Sequence, residues 1–129
     1  MDCKDLMVED LVYVVRGYGK HLTIEKVKGV IVDKDESYPV TIFTGETVSL
    51  NDIKPILLTK EILVKNGFDE DKRSKYFHLY TLDVEGHWDF DITWSSHNGF
   101  KYGDIKLTYV HQLQHLLRLC GIEKELVID

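Results

Sequence analysis

Two segments of the sequence end in the same way, and they indicate where the chain is helical. Positions 66–68 and 120–122 read NGF and CGI, each a glycine followed by an apolar residue. A glycine after the last helical turn adopts a left-handed conformation that ends the helix, and the next apolar side chain folds back onto that turn. We therefore predict helices over residues 59–68 and 109–120, the first capped by Thr59.

The first 57 residues carry short β-branched and aromatic runs separated by turn residues. These runs are residues 11–15, 22–32, 40–43 and 47–50. About five short strands at this spacing favour a small antiparallel barrel of SH3-like type over a sandwich, which needs more strands. Gly29 lies where the alternation changes phase, which predicts a bulge or bend there.

Beyond the first predicted helix, the charged run at 69–75 reads as a solvated loop. Residues 76–82 and 87–94 read as strands, and the second alternates apolar and polar residues cleanly. Residues 95–99 form a hairpin loop with an Asn-Gly turn signal, and 100–107 return as the partner strand. The apolar residues of the alternating strand, which predict a core stripe, are Trp88, Phe90, Ile92 and Trp94.

These segments predict an α+β fold. A small SH3-like antiparallel β-barrel portion is followed by a short helix, a β-hairpin or meander, and a C-terminal helix, with Val127 in a short edge strand. The length of 129 residues fits a single domain. Residues 1–57 would form the SH3-like portion, and residues 58–129 an α+β portion packed with it.

The predicted C-terminal helix has two faces of different chemistry. At about 100° per residue, its apolar residues share one broad stripe. The stripe contains Val110, Leu113, Leu116, Leu117 and Cys120, with Thr108 as the cap of the helix. The opposite side carries His111, Gln114, His115 and Arg118. That side is either a plain polar face in water or a surface whose donors bind an acidic or phosphate-bearing partner.

His111 and His115 have the spacing of the zinc-protease pattern H-E-x-x-H. That pattern needs a glutamate beside the first histidine as general base, and Gln112 cannot accept a proton there. Arg118 adds a positive charge one turn after His115, and zinc needs further ligands from elsewhere. We therefore predict no metal and no cofactor. A metal-dependent hydrolase using His111 and His115 is kept as an alternative.

The charge balance opposes a general role in binding nucleic acid. The formal net charge is -6, whereas non-specific affinity for nucleic acid comes from Lys and Arg side chains that neutralise phosphates. A local basic patch on the small barrel remains an alternative by fold analogy. Its residues would be Arg16, Lys20, Lys26, Lys28 and Lys34. An acidic row of Asp83, Glu85, Asp89 and Asp91 is either a wet sheet face or a phosphate mimic for a basic partner.

The N-terminal sequence MDCKDLMVEDL is acidic where a signal peptide has a basic start and then an apolar run. No stretch approaches the ~20 apolar residues of a membrane span. Cys3 and Cys120 are the two cysteines, and neither belongs to a CxxC pair. These features predict a cytoplasmic protein with reduced cysteines and no membrane partner.

Three stretches of the sequence resemble a known group of proteins. Residues 52–68 read DIKPILLTKEILVKNGF, residues 109–122 read YVHQLQHLLRLCGI, and residues 5–13 read DLMVEDLVY. They resemble small uncharacterised proteins of Bacteroides-type gut bacteria and their phages or mobile elements, in which a glycine commonly stands at the position of Glu9. The resemblance spans most of the chain except about residues 69–100. It implies a mobile-element setting, but no activity and no catalytic residue.

No acid, base and nucleophile assemble into a catalytic set, whereas two charged surfaces are available for contacts. We therefore predict a non-enzymatic binding protein, a phage or mobile-element accessory factor that acts through protein contacts. Its predicted binding residues are His111, Gln114, His115 and Arg118. The nucleic-acid-binding small barrel is the first alternative, and the metal-dependent hydrolase is the second.

Overall fold

The chain divides into two compact units, residues 1–56 and residues 57–129. The residues described by this computed structural model are 6–7, 9–17, 21–31, 36–86 and 88–128. Within them the fold is mostly β, with two antiparallel sheets and two helices. The prediction of an α+β fold is therefore wrong, because strands account for much more of the chain than the two short helices do.

Unit 1 is a five-stranded antiparallel sheet in the order β4-β3-β2-β1-β5. Its strands are β1 (Leu11–Arg16), β2 (His21–Val30), β3 (Val40–Ile42), β4 (Thr47–Val48) and β5 (Ile53–Lys54). Alternate residues of a strand point to opposite faces, so Val12 and Val14 of β1 are both buried. They pack with Val27, Val40 and Ile42 in one apolar cluster.

The predicted bulge at Gly29 is confirmed, since the β2–β3 register shifts between Val27 and Gly29. The predicted SH3-like barrel is wrong, because the sheet is not closed. β4 and β5 are its two edges, and no ladder joins them within the described residues. Closure requires a stagger and tilt shared by all strands, and two-residue edge strands have little backbone with which to form that ladder.

Unit 2 is built on a second five-stranded antiparallel sheet, in the order β10-β9-β8-β7-β6. Its strands are β6 (Asp69–Lys72), β7 (Phe77–Leu82), β8 (Phe90–Ser95), β9 (Gly99–Tyr102) and β10 (Ile105–Leu107). Helix α1 (Lys60–Lys65) precedes the sheet in the chain, and helix α2 (Val110–Leu119) follows it. The predicted hairpin at 95–99 is confirmed as the β8–β9 connection, with Ser95 opposite Gly99.

One face of this sheet changes from polar to apolar across the strands. The register places Lys72 opposite His78, His78 opposite Trp94, and Trp94 opposite Phe100. Phe100 in turn lies opposite Leu107. Facing residues in such a row share one side of the sheet. The row is therefore charged at the β6 edge and buried at its Phe100 and Leu107 end.

Both helices end as the glycine patterns predict. After α1, the Gly67 N–H donates to the Val64 carbonyl and the Phe68 N–H to the Leu63 carbonyl, and Gly67 has φ 90°. After α2, Ile122 donates to the Leu117 carbonyl in the same way. This hydrogen-bond pair is the Schellman arrangement, and the apolar residue that closes it is buried in both cases. The Thr59 cap is also confirmed, since its side chain accepts from the Ile62 N–H.

Several finer predictions are wrong. Residues 69–72 form the edge strand β6 rather than a loop, although their side chains are exposed as expected. Trp88 lies outside β8 and is 95% exposed, so the core stripe on that strand is Phe90 and Ile92, with Trp94 half-buried. Val127 belongs to no strand. No helix in the described part of the chain is long and apolar enough to cross a membrane.

Candidate functional site

A groove of about 480 Å³ opens in unit 2 between α1 and the edge strand β6. We call it the α1–β6 groove. Its lining residues are Lys60, Glu61, Val64, Lys65, Glu70, Lys72 and His78. They come from one helix and two neighbouring strands, so a single supersecondary unit builds the whole site.

The local structure explains why these side chains converge. In α1 the lining residues fall at two neighbouring positions and again one turn later, so they share one side of the helix. In β6, Glu70 and Lys72 are alternate residues and point to the same face of the sheet. The sheet register sets Lys72 opposite His78, which brings the β7 residue to the floor of the groove.

A chain of hydrogen bonds runs from the groove into the core. The buried Tyr80 hydroxyl donates to Oε2 of Glu70 over 2.6 Å. The Tyr80 hydroxyl oxygen also lies 3.4 Å from Nδ1 of the buried His78. Because the phenolic hydrogen is committed to Glu70, the Tyr80 oxygen can only accept from His78. The contact thus fits a His78 tautomer with its hydrogen on Nδ1, in which the hydrogen bonds run from His78 through Tyr80 to Glu70.

These hydrogen bonds keep the Glu70 carboxyl group ionised and the Tyr80 phenol group neutral at neutral pH. The pKa of Glu70 is lowered, chiefly because Tyr80 donates a hydrogen bond to the carboxylate, and Lys72 lowers it further. The pKa of Tyr80 is raised, first by burial and then by the hydrogen bond to Glu70. Glu70 is thus a carboxylate and Tyr80 a neutral phenol, and neither has the near-neutral pKa that suits a general acid or base.

Lys60 is held over an aromatic surface at one side of the groove. Its Nζ lies 3.5 Å from the centre of the Trp94 ring, within the range of a cation–π contact. The His78 ring lies 4.9 Å from the same indole, centre to centre. The contact fixes an ammonium group that would otherwise be mobile, so part of the positive charge of the groove has a defined position.

The groove carries more positive than negative side chains. Three lysines line it against two glutamates. Of the glutamates, Glu70 already accepts from Tyr80 and lies 3.5 Å from Nζ of Lys72. In a chain of net charge -6 this is a local excess of cations, so the groove suits an anionic group better than a cationic one.

The strand beside the groove has an exposed edge. β6 is the last strand of its sheet, and all four of its residues are exposed. Within the described residues it pairs only with β7. The groove is therefore bounded on one side by a helix and on the other by a strand that has one partner strand among the described residues.

The four residues predicted to bind lie on α2, away from the groove lining. His111 and Gln114 are buried, with 4% and 9% of their surfaces exposed. His115 and Arg118 are half-buried. The expectation that all four face outward is therefore wrong for His111 and Gln114, because packing covers more of the helix than its apolar stripe. Their role in binding stays a prediction.

Gln112 stands where the zinc-protease pattern has a glutamate, and its side chain caps the start of α2. Oε1 of Gln112 accepts from the N–H groups of Thr108 and Tyr109, at 2.8 and 3.0 Å. The cap residue is Tyr109, so the prediction of Thr108 is wrong. The His111 and His115 rings are 5.6 Å apart. No group of three or more His, Cys, Asp or Glu side chains that could hold a metal ion occurs among the described residues.

The residues of the alternative nucleic-acid site are in part engaged elsewhere. Nη1 of Arg16 donates to both carboxylate oxygens of Glu46, which raises the pKa of Arg16. Lys26 lies over the Phe43 ring. Two further lysines of this alternative site, Lys20 and Lys34, lie outside the described residues. The cysteine Cys3, which belongs to no predicted site, also lies outside them. The acidic row is exposed, and its Asp91 carboxylate accepts from the Thr81 hydroxyl.

Comparison with known proteins adds no further assignment. No protein-family model matches the chain, and no curated protein or solved structure gives a significant match. The candidate site therefore rests on its own geometry.

The sequence does not reveal the groove, because the charged run that contains Glu70 and Lys72 indicates a solvated loop. The signal that could have found them is the alternation of polar residues at 70 and 72 with His78 and Tyr80 in the next strand. That signal is readable only when the two strands are known to pair in this register.

Proposed function

We propose that the protein is a non-enzymatic binding protein that holds a segment of a partner protein in the α1–β6 groove. The observation that carries the proposal is the position of the groove, between a helix and an exposed edge strand. Where an extended peptide adds to an edge strand, the strand supplies backbone contacts and neighbouring pockets receive alternate side chains. The motif resemblance supports a role as an accessory factor of a phage or mobile element.

The chemistry of the groove favours binding over catalysis. His78 in the groove lining is linked to Glu70 through the core residue Tyr80, so the fold orients both lining residues. A network of this kind holds a binding surface in place. The groove offers fixed charge and the half-exposed apolar side chain of Val64, which are the elements of a recognition site.

The test is site-specific crosslinking with the full-length chain. A photoreactive amino acid replaces Val64 in the groove, or Ile105 in β10 at the opposite edge of the same sheet. The two residues are matched, with 51% and 52% of their surfaces exposed. We expect crosslinking in host cells from position 64 to one protein, which is identified by mass spectrometry, and none from position 105.

The captured protein is then purified, and its affinity is measured for the native chain and for the variants Val64→Arg and Ile105→Arg. The proposal predicts weaker binding for the groove variant alone. Equal crosslinking from both positions, no crosslinking from either, or equal affinity of the two arginine variants would each overturn it.

A further inference from the structure

We infer that the partner enters the α1–β6 groove as an extended strand that adds to β6, with acidic side chains at every second position directed into the groove. This inference rests on the proposed function and names the conformation and chemistry of the segment that is bound. It follows from the edge strand, the alternation of its side chains and the charges on the two faces.

The backbone of β6 favours an added strand. β6 is a terminal strand, and its partner within the described residues is β7 on one side. An edge strand directs a row of N–H and C=O groups away from its one partner, where another chain can pair with them. In β6 the Asp71 carbonyl also accepts from the Arg73 N–H at the end of the strand. An incoming segment that pairs there satisfies these groups and lies beside the groove.

The alternation of β6 divides the side chains of such a segment into two sets. Glu70 and Lys72 line the groove, whereas Asp69 and Asp71 point to the opposite face. Every second side chain of an added strand therefore faces the groove. The remaining side chains lie beside Asp69 and Asp71.

The charges on the two faces select different side chains. On the groove side, three lysines stand against two glutamates, of which Glu70 is already bonded to Tyr80 and to Lys72. Lys60 and Lys65 then outnumber the remaining Glu61. Acidic side chains fit there. On the other face, Asp71 already pairs with Arg73, and Asp69 repels acidic groups and favours basic or neutral ones. The recognised segment is therefore acidic at alternate positions and not acidic throughout.

Three synthetic peptides test this pattern. Each is about ten residues long, near the upper length of an ordinary strand. The first alternates glutamate and threonine, the second has the same composition with its glutamates in one block, and the third alternates lysine and threonine. Binding to the full-length chain is measured by fluorescence anisotropy at low salt. We expect the alternating acidic peptide to bind most tightly, the block peptide more weakly, and the basic peptide not measurably.

Charge variants test the direction of recognition. Lys65→Glu in the groove should weaken binding of the alternating acidic peptide roughly three- to tenfold, as expected for reversing one exposed charge. The matched variant Lys106→Glu, in the opposite edge strand β10, should leave the affinity unchanged. Circular dichroism checks that both variants fold.

Backbone pairing is tested separately from charge. N-methylation at every second position of the acidic peptide removes the N–H donors from one edge of the peptide strand. Methylation of either the odd or the even positions should abolish binding, because only one edge of the peptide pairs with β6. Hydrogen exchange of the amides of residues 69–72 should slow when the unmodified peptide binds. An unchanged exchange rate in β6, or equal affinity for all three peptides, would overturn the inference.

The two proposals fail in distinguishable ways. If position 64 crosslinks a partner but the peptides show no preference for alternating acidic residues, the inference about the segment is wrong and the binding function stands. If neither position crosslinks a partner, the proposed function itself is wrong.

Discussion

The Tyr80 hydroxyl donates a 2.6 Å hydrogen bond to the Glu70 carboxylate, and this bond joins the core of unit 2 to the wall of the α1–β6 groove. Tyr80 is fully buried, whereas Glu70 lies on the exposed edge strand. The register places the two residues directly opposite each other. A change in the core at Tyr80 should therefore be detected at the groove.

The variant Tyr80→Phe should lower the free energy of unfolding, and by an amount that depends on pH. The folded-state pKa of Glu70 lies below its ordinary value of 4.5 because Tyr80 donates to the carboxylate. A carboxyl group with a lowered folded pKa stabilises the fold fully above its unfolded pKa, and this stabilisation is lost as the pH falls through the folded pKa. The difference between native and variant chains should therefore be complete above pH 4.5 and shrink below it.

Urea unfolding at a series of pH values checks this expectation. Tyr76→Phe is the control, because Tyr76 is 59% exposed. A difference in stability between the native chain and Tyr80→Phe that stays constant down to about pH 3, well below the ordinary pKa of a glutamate, would contradict the role assigned to the bond.

Gln112 should behave as a helix cap and not as a lost catalytic glutamate. Gln112→Ala removes the acceptor for the Thr108 and Tyr109 N–H groups, and should cost about 0.5–2 kcal/mol of stability. Gln112→Glu restores the H-E-x-x-H pattern but keeps the acceptor, which is favoured at the start of a helix. It should be about as stable as the native chain.

Thermal unfolding measures both variants, and elemental analysis of untagged protein measures zinc. We expect no stoichiometric zinc in Gln112→Glu, since its carboxylate is directed to the helix start. Zinc bound at one equivalent by this variant, and lost on replacing His115, would favour the metal-dependent alternative.

Glu9→Gly should stabilise unit 1. Glu9 has φ 73°, in the left-handed region. That conformation costs a non-glycine residue roughly 1–2 kcal/mol, and the greater chain entropy of glycine offsets about 0.5–1 kcal/mol of the gain. We expect a rise of about 0.5–1 kcal/mol in the free energy of unfolding by urea, the net of these two terms.

The opposite substitution provides the control. Gly45 has φ 92°, and an added Cβ there meets no atom within 4 Å. Gly45→Ala should therefore destabilise through backbone strain alone. If both variants shift stability in the same direction, left-handed strain is not the cause.

Asn66→Ala should loosen the segment that follows α2. The Asn66 side chain donates to the Val127 carbonyl and accepts from the Val127 N–H, at 2.8 and 2.7 Å. Asn66 is 95% buried. Losing both bonds should cost about 1–3 kcal/mol, because two backbone groups lose their partner. The readout is hydrogen exchange of the Val127 amide, with the exposed Asn51→Ala as control; unchanged protection of that amide would count against the pairing.

The helix ends could be predicted from the sequence because the information is local. The NGF and CGI patterns specify a backbone conformation and a nearby apolar contact, and both occur as expected at Gly67 and Gly121. The hairpin at Gly99 is local in the same sense. Such features need no knowledge of distant partners.

The barrel and the groove could not be predicted, because each depends on which strands become neighbours. The sequence predicts about five strands in its first 57 residues, but their number does not determine whether β4 meets β5. The charged residues of β6 look like a loop until backbone pairing with β7 orders them. The sequence gives the properties of the side chains, whereas neighbouring strands are held together by backbone hydrogen bonds. The side-chain pattern therefore does not show which strands pair at an edge.

The burial of α2 can be predicted only in part. A helical wheel shows the direction in which each side chain points, but not how much of the helix surface is buried by neighbouring elements. The apolar stripe is buried as expected at Leu113, Leu116 and Leu117. His111 and Gln114 are buried as well, so the packed arc is wider than the apolar one. A wheel drawn from one sequence cannot show how far neighbouring elements reach around a helix.

The contact between Asn66 and Val127 has a consequence for the groove, because α1 forms one of its walls. A helix of six residues has little stability of its own, and this one is tied at its end to a residue 61 positions later in the chain. A protease that removed Val127, or a fusion that displaced it, would break the hydrogen bonds to Asn66 at the end of the helix without changing a residue of the groove lining. Loss of Val127 should therefore loosen one wall of the groove, although Val127 does not line it.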